Sequence, residues 1–199
     1  MQNQGCSEVE VTWMTRVQGA ASELFQIAAL LLGDETGAAL LVEEAVAGIA
    51  ADPCVNETLA RAEARERLVH AALGRLQQVR PGSLDVPADV AGDGYRSCGG
   101  VDDLLAAGVS SEQASRLIDE AARPSLRRWL EQLSPASRTV FVLRAMLGEN
   151  SSVAADVLQH SIPAGAPSWT VEAVREVFRR ALCSLTTSMV AAAAVPVEA

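Results

Sequence analysis

Residues 24–46 read LFQIAALLLGDETGAALLVEEAV, and the break inside them decides the fold class. Apolar side chains recur at helical spacing through Leu24, Ile27, Ala28 and Leu31, stop at Gly33, and resume through Leu41, Val42, Ala45, Val46 and Ile49. Glycine readily takes the left-handed conformation that ends helices, and an aspartate behind it accepts the free N–H groups of the next first turn. The stretch therefore predicts two helices joined by a tight break at Gly33 and Asp34. Each carries an apolar face that has to be buried against another helix.

Working outward, Pro53 stops the second helix, and Asn56 is the cap of a third that carries Leu59, Leu68, Val69, Ala72, Leu73 and Leu76. Pro81 and Gly82 close this unit, which gives an all-helical module over residues 1–80. Residues 81–109 hold two prolines, six glycines and few large apolar residues. They read as a flexible linker with one short helical turn around 101–107. The second module spans 110–199. Ser110 with Gln113 forms a capping-box pattern for a helix over 111–122, Pro124 opens one over 124–133, and Ser134 followed by Pro135 opens one over 135–147 that Gly148 ends. A short helix follows from Ser152 to Gln159, and Thr170 caps a long last one that runs into the apolar tail Met189–Val195. No strand alternation of useful length interrupts the series. The expected fold class is all-α, with two helical modules, the C-terminal one helix-turn-helix-like, joined by the linker.

Composition removes several function classes. With 199 residues and 49% apolar content, the chain has enough to bury for one large or two small domains, which excludes disorder throughout. The longest apolar runs, Ile27–Leu32 and Met189–Val195, fall short of the roughly 18 residues of a membrane span. The start MQNQGCSEVEVT has no basic residue ahead of an apolar core, so the expected location is the cytoplasm and no membrane partner is expected. Cys6, Cys54, Cys98 and Cys183 are scattered, and His70 and His160 stand in no constellation of carboxylates or cysteines. No metal site, cofactor or catalytic group is expected. The glycine-rich GDGYRSCGG lacks the lysine and hydroxyl of a phosphate loop.

Two segments resemble the extracytoplasmic-function-type sigma factors of bacterial RNA polymerase, compact members of the sigma-seventy family. In that family a helix ending in L-x-G-D precedes an acidic helix, roughly D-L-V-Q-E-A-F, that grips the clamp helices of the largest polymerase subunit. Leu41, Val42, Glu44 and Ala45 keep this pattern; Leu40, Glu43 and Val46 replace its carboxylate, amide and aromatic. The second segment, LSPASRTVFVLRAMLG at 133–148 with VEAVREVFRRALCSL at 171–185, resembles the family's C-terminal helix-turn-helix through Leu133, Arg138, Val140, Phe141, Leu143, Arg144, Val174, Phe178, Arg180, Ala181 and Leu185. The resemblance implies a partner, RNA polymerase core, bound through Leu41, Val42, Glu43, Glu44 and Ala45. It implies a second, promoter DNA, met by the helix bearing Thr170, Glu172, Arg175, Arg179 and Arg180. An anti-sigma or other regulatory protein is a third expected partner.

Charge opens a rival reading. All sixteen basic residues are arginine, and the net charge is −9. Residues 1–80 are at −5, residues 81–120 at −6 and residues 121–199 at +2, so only the last module could attract phosphate. Glu172 and Glu176 share its final helix at salt-bridge spacing from the arginines. The eleven residues from Gln159 to Trp169 also exceed the three- to four-residue turn of a helix-turn-helix. The stretch ARERLVHAALGRLQQVR, where the family melts promoter DNA, has no aromatic ring for a flipped base to stack on. The rival is a sigma-like protein that binds polymerase or a regulator without reading DNA.

Overall fold

The computed structural model describes residues 10–53, 55–91 and 124–193, with side chains for 19–53, 55–88, 90 and 126–185. These residues are all-helical, without a strand among them. The chain divides into two compact units, Met1–Val79 and Arg80–Ala199. The helix expected over 111–122 and the turn around 101–107 lie outside the described residues.

Unit 1 is three helices, α1 (Glu10–Leu32), α2 (Glu35–Ala47) and α3 (Glu57–Val79), each packed on the other two. The break between α1 and α2 forms as the sequence dictates. Gly33 takes φ 72°, and the Asp34 carboxylate accepts from the N–H groups of Thr36 and Gly37 at 3.1 and 2.8 Å. A Cβ on Gly37 would lie 2.5 Å from that carboxylate, so the cap needs glycine there. Asn56 caps α3 through the Leu59 N–H at 3.0 Å. Leu24, Ile27, Ala28 and Leu31 meet Ala38, Leu41 and Ala45 and the α3 row Ala60, Ala64, Leu68, Val69, Ala72 and Leu73, all buried. Alanine at six of these positions brings the helix backbones close, which stands in for the bulk of aromatic side chains. Two expected core residues turn outward, Leu59 and Val46, both about half exposed. The α3 face is set by the later row that begins at Ala60, and Val46 lies off the Leu41–Ala45 line.

Unit 2 contains α4 (Pro124–Gln132), α5 (Pro135–Phe141) continued by a π-helical stretch (Val142–Met146), α6 (Ser151–Ser161) and α7 (Val171–Ala193). Ser134 caps α5 as expected, accepting from the Ser137 N–H at 3.2 Å. The helix expected to run regularly to 147 instead widens at Val142, where the Leu147 N–H reaches back to its carbonyl at 3.0 Å. Gly148, at φ 70°, then ends it. The cap of α6 is Asn150, which takes the N–H groups of Ser152 and Val153, so α6 starts one residue earlier and ends two later than the sequence suggests. Trp129, Val140, Phe141, Leu143, Leu158 and Val174 form the core. Phe141 meets Trp129 edge-on at 5.0 Å, and the Trp129 indole N–H donates to Ser184 Oγ at 3.1 Å.

Candidate protein and DNA interfaces

The five positions expected to bind polymerase lie on α2, and the helix divides them. Leu41 and Ala45 face the three-helix core and are each 2% exposed. Glu43 and Glu44 stand in solvent, while Val42 is half-buried. Leu40 is 52% exposed one turn before Glu43 and Glu44. The outer face of α2 is therefore Leu40, Glu43, Glu44 and Ala47, an apolar residue followed by two carboxylates at i+3 and i+4.

Sequence reasoning missed what borders this face. An open cleft of about 460 Å³ runs between α2 and α3, lined by Glu44, Glu63, Glu66, Arg67 and His70 among others. Glu63 is fixed there by three hydrogen-bonding groups. Its two oxygens accept from the backbone N–H of Ala50 and of Ala51, both at 3.1 Å, and Arg67 Nε donates to it at 3.2 Å. The two backbone N–H donors hold its carboxyl below the usual range, against an opposing effect of desolvation, and Arg67 adds to the lowering. Arg67 in turn lies against Gly48, where a Cβ would be 2.7 Å from its guanidinium. The i to i+4 spacing of Glu63 and Arg67 was visible in the sequence; the capping of the chain after α2 was not, because it joins residues twelve and thirteen apart.

The five expected DNA contacts lie at the start of α7, and they too divide. Thr170, Glu172 and Arg175 are exposed, and the Thr170 hydroxyl caps the helix by accepting from the Ala173 N–H at 3.1 Å. Arg179 and its neighbour Glu176 are buried. Arg179 donates through Nε and Nη2 to both oxygens of Glu176, at 3.0 and 2.9 Å. Arg180 donates to the same carboxylate at 2.5 Å. One carboxylate therefore gathers two guanidinium groups, and Arg179 is turned away from solvent as a salt-bridged helix residue. Beside them Arg144 lies 5.4 Å over the Phe178 ring and donates to the Glu149 carbonyl. Burial first, then repulsion from Arg175, lowers its guanidinium pKa. Arg138 is buried too, and its guanidinium pKa is lowered chiefly by desolvation.

The loop Ile162–Thr170 between α6 and α7 stays long. Trp169, at the end of this loop, is held by two hydrogen bonds. Its backbone N–H donates to Gln159 Oε1 at 2.9 Å, and its buried indole N–H donates to the Leu84 carbonyl at 2.8 Å. Among the described residues no three His, Cys, Asp or Glu side chains gather as a metal site, and no helix is long and apolar enough to cross a membrane. Set against protein-family models, curated proteins and solved structures, the chain matches none.

Proposed function

We propose that this chain is a sigma-like protein of transcription initiation that docks on RNA polymerase core through the outer face of α2, and that it acts by protein contact more than by reading promoter DNA. The observation that carries the reading is the exposed set Leu40, Glu43 and Glu44, on the helix whose sequence resembles the polymerase-gripping helix of sigma factors. An apolar anchor beside two carboxylates suits a basic helical partner, in which charge selects the encounter and the leucine supplies buried area. Leu41 and Ala45 support that face from beneath, through the core.

Promoter reading by α7 keeps one specific support, the exposure of Thr170 and Arg175. Against it, Glu176 engages Arg179 and Arg180. Two measurements test the division. Recovery of core polymerase by the tagged full chain falls at least tenfold in the Glu43→Arg, Glu44→Arg double variant; equal recovery by both removes the α2 contact. Duplex DNA titrated with salt gives a slope no steeper than about −1, the value for one phosphate neutralised. A slope near −3 would restore α7 as the DNA-contacting helix.

A further inference from the structure

Residues 81–91 were expected to be linker, yet they are built into unit 2. Leu84 is fully buried, its carbonyl is the acceptor of the Trp169 indole, and the 3-10 turn Ala88–Ala91 packs against α7. Eighty-five residues separate Leu84 from Trp169. The unusually long loop before α7 has a use here: it ends in the tryptophan that receives the segment.

We propose that residues 81–91 are a releasable strap, and that the slot they fill on unit 2 binds a leucine-bearing, proline- and glycine-flanked segment of a protein partner when the strap lifts. The occupant seen in the structure defines the chemistry of its competitor. It is a leucine side chain whose own backbone carbonyl faces an indole N–H, carried on a tight turn. Several features favour release as a unit. The strap's turns close on themselves, with Ser83 N–H to Arg80 O at 3.0 Å, Asp85 N–H to Gly82 O at 3.1 Å and Val90 N–H to Pro87 O at 2.9 Å. Its large apolar anchor is a single residue, since Val86 and Val90 are only partly covered. Gly82 sits at φ 79°, a left-handed position that lets the chain turn away from the end of α3. Seating also carries a cost, because Asp85 Oδ1 is buried without a hydrogen-bond partner among the described residues. Segments held by few buried contacts open locally, without global unfolding.

The proposal stands apart from the polymerase reading and is tested without polymerase. Leu84→Asp and the milder Leu84→Ala are prepared in the full chain, and hydrogen exchange is followed at the Trp169 indole and at the amides of α5, α6 and α7. A fluorescent peptide of residues 80–91, RPGSLDVPADVA, is the probe for the emptied slot. In Leu84→Asp the indole exchanges at least tenfold faster while the helix amides keep their protection, and the peptide binds this variant at least tenfold more tightly than wild type. The same peptide carrying Leu84→Asp does not bind. Loss of amide protection across α5–α7 in Leu84→Ala would overturn the strap as a separable element. Equal peptide binding by wild type and Leu84→Asp would overturn the slot.

Discussion

On α2 the two neighbouring carboxylates Glu43 and Glu44 stand free in solvent, whereas on α7 the neighbouring arginines Arg179 and Arg180 are both drawn onto Glu176. Both helices were singled out by the same kind of evidence, a family-like pattern of charged and apolar residues. The difference comes from what lies three and four positions earlier. One turn before Glu43 and Glu44 α2 has the apolar Leu40, and one turn before Arg179 and Arg180 α7 has a glutamate. A charge at the right register is available to a partner only when its own helix does not supply the counter-ion. A buried pair of this kind also contributes to specifying the rotamers around it, so its charges belong to the fold first.

The sharpest way to break the comparison is Glu176→Ala. Removing one side of a buried ion pair leaves the guanidinium of Arg179 without that carboxylate in a site where its side chain is only 10% exposed, and the expected loss is about 3–5 kcal/mol. Chemical denaturation read by exchange at the α5–α7 amides measures it. A loss below about 1 kcal/mol would mean that Arg179 reaches water readily and that the two helices do not differ as argued. On α2 the contrast runs between inner and outer residues of one motif. Leu41→Ala is expected to cost unit 1 about 2–5 kcal/mol through the cavity it opens, while Glu43→Arg with Glu44→Arg stays within about 0.5 kcal/mol of wild type. If the charge reversals destabilise unit 1 as much as Leu41→Ala, the acids are structural and the polymerase reading loses its footing. Asp34→Ala should cost about 1 kcal/mol, as the loss of a helix cap does, seen as faster exchange confined to the first turn of α2.

Much of the fold was legible because it rests on local signals. Gly33 with Asp34, Asn56, Ser134 with Pro135, Gly148 and Thr170 each act within four residues, and each stands where its chemistry requires in the structure. The misplacements have equally local causes. Val46 and Leu59 obey a helical period but lie at the edge of the buried stripe, and the widened turn at Val142 has no marker in side-chain chemistry. Leu84 was unreadable for another reason. A single leucine among prolines and glycines has no period to betray it, and its partner is supplied by tertiary folding. In the sites, residue identity told which groups carry charge, and the spacing of Glu176 to Arg179 and Arg180 already contained their pairing. What spacing alone could not give was burial, which turns an exposed pair of little consequence into one that fixes the arginines in place.

The smallest effect is the pH dependence that one carboxylate on unit 1 confers. Glu63 is tied down by two backbone N–H groups and Arg67, and its carboxyl is lowered from the ordinary value of 4.5. A group whose folded-state pKa is depressed contributes stability that is fully present above its unfolded value and is lost as pH falls through the folded one. The contribution of Glu63 is therefore complete at neutral pH and declines below about pH 4.5 as the proton competes with the Ala50 and Ala51 N–H groups for the same oxygens. Glu63→Gln removes this slope without introducing a charge, so the stability of the variant and of wild type should converge as the solution is acidified through that window. Parallel acid titrations followed by exchange at the α3 amides decide it. Identical slopes for wild type and Glu63→Gln would mean that the loop after α2 is not held by this carboxylate, and the wall of the cleft beside the proposed docking face would then have to be held by something else.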